Sequence, residues 1–151
     1  MSEPFQTLHH ICLVVHDLGR AADYYQSIGL GPWHDFPPFS DFSRLDMPNL
    51  EGFLGLKYKF ANLQNMQLQL CQPGSGDTPQ KHFLDRHGEG VFHIGFSVAD
   101  SNRAEAEATA MGLNVLMRGR RSDGSGFTYF DTAEKAGGVT LMARSLPFAQ
   151  M

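Results

Sequence analysis

His10–Leu30 reads HICLVVHDLGRAADYYQSIGL, and His93–Leu113 reads HIGFSVADSNRAEAEATAMGL. The two stretches align without a gap at an offset of 83 residues, and eight of the 21 positions are identical. Self-similarity of this kind means that one supersecondary unit is used twice. Two copies are too few for a solenoid, so the expectation is a pseudo-symmetric pair of halves of about 65–75 residues each.

Each copy has the same local grammar. A run rich in Val, Ile and Phe reads as a strand, over 8–16 and again over 91–99. Asp17 and Asp100 follow, acceptors suited to cap the free N–H groups of a starting helix. Apolar residues then recur at helical spacing, Ala21, Tyr25 and Ile28 in the first copy and Ala104, Ala108 and Met111 in the second. Gly29 and Gly112 end the helices where a left-handed turn is needed.

Working outward, three strand-like runs follow each helix. They lie near 32–36, 53–61 and 65–72 in the first half and near 114–118, 127–131 and 139–143 in the second. Asp123-Gly124 and Gly137-Gly138 punctuate the second set. Each half therefore reads βαβββ. The fold class is α+β: one domain over 1–151, with module one at about 7–73, a linker at about 74–89 containing a short helix near 82–87, and module two at about 90–145. The paired modules are expected to form one curved mixed sheet with a concave ligand cup and the helices outside.

Strand side chains alternate with period two. Ile11, Leu13 and Val15 share one face, as do Phe92, Ile94, Phe96 and Val98, and these bulky faces should lie under the helices. The opposite faces hold His10, Cys12 and Val14, and His93, Gly95 and Ser97, smaller and more polar. In the last strand of each half Leu68-Gln69-Leu70 matches Leu141-Met142-Ala143. The less apolar faces thus carry four related positions, His10, Gln69, His93 and Met142.

The His-bearing strand, the Asp-capped helix, the GL-GPW segment (Gly29–Trp33), the QLQLCQP strand (Gln67–Pro73) and the GEGVFHI strand (Gly88–Ile94) resemble the vicinal-oxygen-chelate family, the glyoxalase, bleomycin-resistance and dioxygenase relatives. The likeness spans about 7–145 and is greatest to the methylmalonyl-CoA epimerase and glyoxalase branch. It implies a divalent metal (zinc, nickel, cobalt, iron or manganese) on His10, Gln69 and His93, polarising vicinal oxygens of a small-molecule substrate. The family's fourth ligand is a glutamate, and this chain has Met142 there. That departure removes the anionic ligand, leaves a metal-free site open, and makes Met142 a pocket wall. It also disfavours an extradiol dioxygenase, whose iron takes two His and one carboxylate.

The resemblance implies a lyase or isomerase of the glyoxalase or epimerase type. The alternatives are a metal-free binding protein of the bleomycin-resistance type and a metal-independent acid–base catalyst using His10 or His93. An epimerase needs a proton acceptor near the substrate's acidic carbon, and Glu51, ahead of the third strand, is the candidate. Arg118 and Arg121, with Arg120, flank the SDGSG turn and could hold a carboxylate or phosphate. Trp33, Phe127 and Tyr129 are candidates to line an apolar pocket. His82 and His87 read as surface residues of the linker.

Composition narrows the classes further. The formal charge of −4 and the pI near 5.9 give no general attraction to nucleic acid or an anionic membrane. The longest apolar run, Ile11–Val15, is far too short to cross a bilayer, and the start reads without a secretion signal. Cys12 and Cys71 lie in strand-like runs as small hydrophobes, which suits a reducing cytoplasm. Exposed sheet edges allow a homodimer.

Overall fold

The computed structural model describes residues 4–147. In chain order the elements are β1 (Leu8–Val14), α1 (Leu18–Ser27), β2 (His34–Asp35), a 3-10 turn (Phe39–Asp41), β3 (Phe42–Asp46), α2 (Leu50–Leu54), β4 (Lys57–Asn62) and β5 (Gln67–Gln72). There follow α3 (Pro79–His87), β6 (Gly90–Ser97), α4 (Ser101–Ala110), β7 (Val115–Arg121), β8 (Gly126–Phe130) and β9 (Thr140–Arg144). The fold class is α+β. The chain divides into two compact units, one built from His10–Pro37 with Asn49–Phe92, the other from Met1–His9, Pro38–Pro48 and His93–Met151.

The first unit carries strands in the order β2-β4-β5-β1. β1 runs parallel to β5, and the remaining pairs are antiparallel. Asp17 caps α1 by accepting from the Arg20 N–H, and Leu18 and Ala22 from that helix pack on Val15 and Leu70. Leu13, Tyr25 and Trp33 complete this cluster. The second unit carries β6-β9-β8-β7-β3, with β6 parallel to β9. Asp100 caps α4 through the Arg103 N–H, and Ala104 and Ala108 pack on Val98, Phe130 and Ala143. Leu13 and Val15 therefore lie under α1 and Val98 under α4 as the alternation predicts, while Phe92 packs on Phe83 of α3. Gly29 and Gly112 end the helices at φ +90° and +96°.

Three features depart from the sequence expectation. Ile28 and Met111 are exposed, at 62% and 54%, because each sits at the C-cap beyond the last helical turn. The strand expected over 53–61 begins only at Lys57, since Asn49 accepts from the Gly52 N–H and starts α2, which takes in Phe53. Between β2 and α2 lies an additional strand, β3, that pairs antiparallel with β7. The βαβββ pattern is intact in each unit, as β1-α1-β2-β4-β5 and β6-α4-β7-β8-β9, with β3 added at the edge of the second.

Candidate active site on the two histidine faces

In the first unit the face away from α1 is built by register. His10 pairs with Gln67 and Cys12 with Gln69 across β1 and β5, while Tyr58 pairs with Cys71 and Phe60 with Gln69 across β4 and β5. His10, Cys12 and Cys71 are fully buried, and Gln69 is 5% exposed. Gln69 donates from Nε2 to Gln67 Oε1 at 2.7 Å, and Gln67 donates from Nε2 to Asn62 Oδ1 at 3.0 Å. This amide relay commits the Gln69 donor and leaves its Oε1, the atom with metal-ligand chemistry, without a hydrogen bond among the described residues. Burial pushes the Cys71 thiol up to about 12, against a hydrogen bond from Tyr58, and pushes the Cys12 thiol well above its ordinary value. Both cysteines are therefore neutral, free thiols.

In the second unit His93 pairs with Thr140 and Gly95 with Met142, while Tyr129 pairs with Met142 across β8 and β9. The Tyr129 ring meets the His93 imidazole edge to face, with centroids 4.9 Å apart, and Phe127 packs against Tyr129 in turn. His93 is fully buried, and burial lowers its pKa to about 3. The neutral imidazole that results is the form that ligates a metal, and it is a weak proton acceptor. Met142, 7% exposed, lies on the same strand face as Phe127 and Tyr129, and of the three Tyr129 meets the His93 ring directly.

The other candidates are placed differently. Trp33 packs in the cluster beneath α1, donating its indole N–H to the Leu30 carbonyl, so it belongs to the helix side and not to the His10 face. Glu51 is exposed in the first turn of α2, where a carboxylate suits the helix N-terminus. The three arginines do not act as a cluster, because alternation along β7 sends them to opposite faces. Arg118 and Arg120 turn to α4. There Arg118 donates to Glu105 and Asp46, and buried Arg120 donates to Glu105, Asn102, Thr128 and the Phe127 carbonyl. Only Arg121 shares the side of Gly119 and Phe127, and it is held by Asp41 at 2.8 Å with its guanidinium over the Phe42 ring. His82 makes a side-chain hydrogen bond with Asp77 and His87 stacks on Phe83, both exposed in the linker.

A family model described as the glyoxalase/bleomycin resistance protein/dioxygenase superfamily matches residues 9–130. The chain belongs to that superfamily. Solved structures share the fold. A Streptomyces coelicolor methylmalonyl-CoA epimerase variant in complex with 2-nitronate-propionyl-CoA is 25% identical, with 93% of this chain and 96% of that one covered and a TM-score of 0.72. A methylmalonyl-CoA epimerase in complex with methylmalonyl-CoA and NH4+ is 24% identical, with 94% and 95% covered and a TM-score of 0.73. The Mycobacterium tuberculosis methylmalonyl-CoA epimerase is 19% identical, with 99% and 94% covered and a TM-score of 0.72. No curated protein matches the chain.

Among the described residues no group of three or more His, Cys, Asp or Glu side chains is arranged to hold a metal ion. The positions at which the resemblance implies metal ligands hold His10 and Gln69 in the first unit and His93 and the thioether of Met142 in the second. Two imidazoles and an amide oxygen fit a borderline metal such as zinc, nickel or cobalt better than a hard cation, which favours carboxylates. No described helix is long and apolar enough to cross a membrane. Sequence reasoning missed Arg144 and the Glu105–Arg120 network. Arg144 was within reach, because it stands two residues beyond Met142 and strand alternation places it on the same face.

Proposed function

We propose that the protein is a metal-dependent isomerase or lyase of the epimerase and glyoxalase type, acting on a small carbonyl compound such as an acyl-CoA thioester. The single observation that carries this reading is the Gln69 oxygen left as an acceptor by the amide relay, opposite Cys12 and one step along the shared strand face from His10, at a position where the resemblance implies a ligand. The proposed holders are His10, Gln69 and His93. A bound divalent metal would supply Lewis-acid polarisation of the substrate's vicinal oxygens.

The chain's own residues have the following roles in this reading. His93 presents a neutral nitrogen, kept so by burial. Gln67 and Asn62 hold the Gln69 amide in one orientation. Tyr129 and Met142 shield His93 from water. Glu51 is the proposed proton acceptor at the acidic carbon. It stands exposed in the first turn of α2.

The test combines metal analysis of untagged protein with proton exchange at the acidic carbon of methylmalonyl-CoA in deuterated water. Near-stoichiometric metal that is lost in His10→Ala/His93→Ala, together with exchange that falls in Glu51→Gln, is the expected result. Absence of metal after reconstitution with zinc, nickel or cobalt would overturn the reading. A metal-free binding protein is the second reading, favoured by Met142 at the position where the resemblance implies a carboxylate. It predicts ligand binding unchanged by chelator and no exchange. The third, acid–base catalysis by His93, is disfavoured by that residue's weak basicity.

A further inference from the structure

Arg144 differs from every other arginine among the described residues. Arg44, Arg103, Arg118, Arg120 and Arg121 each hold a carboxylate. Arg20 and Arg86 are exposed on α1 and α3. Arg144 is only partly exposed and, among the described residues, forms no ion pair and makes one hydrogen bond, from Nη1 to His9 Nε2 at 3.0 Å. A guanidinium only donates, so His9 accepts as a neutral imidazole. His9 therefore orients Arg144 without neutralising it.

The surroundings add positive charge. Arg144 pairs with Phe127 across β8 and β9, Phe127 pairs with Gly119, and Arg121 lies two residues along β7 on that same side. Gly119 lets the Phe127 ring lie against the strand, since a Cβ there would meet the ring at 2.7 Å. Arg121 is close enough that, after burial, its charge is what disfavours the Arg144 cation. Phe42 packs 5.5 Å from Phe127 and beneath Arg121, and Phe39 closes the group. Among the described residues the one carboxylate paired with either guanidinium is Asp41, bound to Arg121 and itself 60% exposed. A charge withdrawn from water without a counter-charge is costly, and an arriving anion removes that cost.

We propose that Arg144, oriented by His9 and flanked by Arg121, binds the oxyanion of a small organic anion, a carboxylate or a phosphate group, whose apolar body rests on the partly buried rings of Phe39 and Phe42. This deepens the proposed function and rests on its assignment of the His93 face to the substrate, by naming the substrate's charge. Arg144 is a specificity-determining residue in this account.

The experiment is calorimetric titration of chelator-treated protein with malonate and, separately, with inorganic phosphate. The proteins compared are wild type, Arg144→Gln, Arg144→Lys and the exposed control Arg20→Gln. At least one anion should bind wild type saturably, weaken with added salt, and bind Arg144→Gln about ten-fold less tightly. Arg144→Lys should be intermediate, because it keeps the charge and loses the planar fork. Arg20→Gln should match wild type. Binding of malonate alone assigns a carboxylate, and tighter binding of phosphate assigns a phosphate group. No saturable binding of either anion, or equal affinity in wild type and Arg144→Gln, overturns the proposal. If Arg144→Gln fails to fold, equal affinity in wild type and Arg144→Lys overturns it instead. Metal is stripped and no turnover is measured, so this outcome is independent of whether the metal or the proton acceptor is correctly assigned.

Discussion

Helices α1 and α4 are repeats of one another in sequence, yet they are held to their sheets differently. Under α1 the contact is apolar: Leu18 and Ala22 meet Val15 and Leu70, with Leu13, Tyr25 and Trp33 alongside. α4 offers only the small side chains Ala104 and Ala108 to its apolar cluster. A charged network adds to it, in which Glu105 receives Arg118, Arg120 and the Thr128 hydroxyl. Two halves of common pattern have thus reached one geometry through different physical terms. The backbone grammar of strand, Asp cap, helix and glycine stop is what the repeat preserves, and the side-chain chemistry over it is free to diverge.

The sharpest break in that comparison should come from Glu105→Ala. Arg120 is 6% exposed, and removing its carboxylate strands a buried guanidinium, so the expected cost is about 3–5 kcal/mol in denaturant unfolding. Burial alone would raise the Glu105 carboxyl, but hydrogen bonds from Arg118 and Thr128 and the charges of Arg118 and Arg120 hold it below its usual 4.5. A carboxylate depressed on folding contributes stability above its unfolded value and loses it as pH falls through the folded one. Wild-type stability should therefore decline below about pH 4.5, and Glu105→Ala should flatten that decline.

Leu18→Ala is the matching cut beneath α1, with an expected loss of about 2–4 kcal/mol. Its difference from wild type should be the same at pH 4 as at pH 7, because no titrating group is removed. A pH-dependent difference would show that the two attachments are not distinct in kind.

Met142→Glu sharpens the contrast between the histidine faces. Restoring a carboxylate where the superfamily resemblance implies one should tighten binding of manganese or zinc by about ten-fold or more, read by competition with a chromophoric chelator. Unchanged affinity would remove Met142 from the ligand face. The smallest effects belong to the shared grammar. Asp17→Ala and Asp100→Ala should each cost about 1 kcal/mol, equally in the two halves, since each cap accepts one helix N–H. Unequal losses would mean that the caps, like the helix faces, have diverged.

Much of the fold was legible in the chain because it rests on local rules. The alternation in β1 and β6, the caps at Asp17 and Asp100 and the left-handed glycines at 29 and 112 all act within a few residues. β3 was not legible, because its partner β7 lies some 70 residues away and no turn or alternation announces the pairing. Trp33 looked like a pocket residue for its chemistry, and its packing under α1 is a long-range choice. The His10, Gln69, His93 and Met142 positions could be paired from the repeat. The amide relay behind Gln69 needed the register of β4 on β5, and the isolation of Arg144 needed the partners of every other arginine.

The sequence by itself determined the βαβββ repeat, the placing of an imidazole at equivalent positions in both halves, and the absence of a carboxylate at position 142. These follow from side-chain identity and short-range periodicity, which every conformation of the chain carries. Only the tertiary structure decided which charges are neutralised. Arg118, Arg120, Arg121 and Arg144 are close in type and position, but strand facing gives the first two Glu105, the third Asp41, and the last a neutral histidine. Electrostatic energy depends on distance and on exclusion of water, and neither is a property of the linear chain.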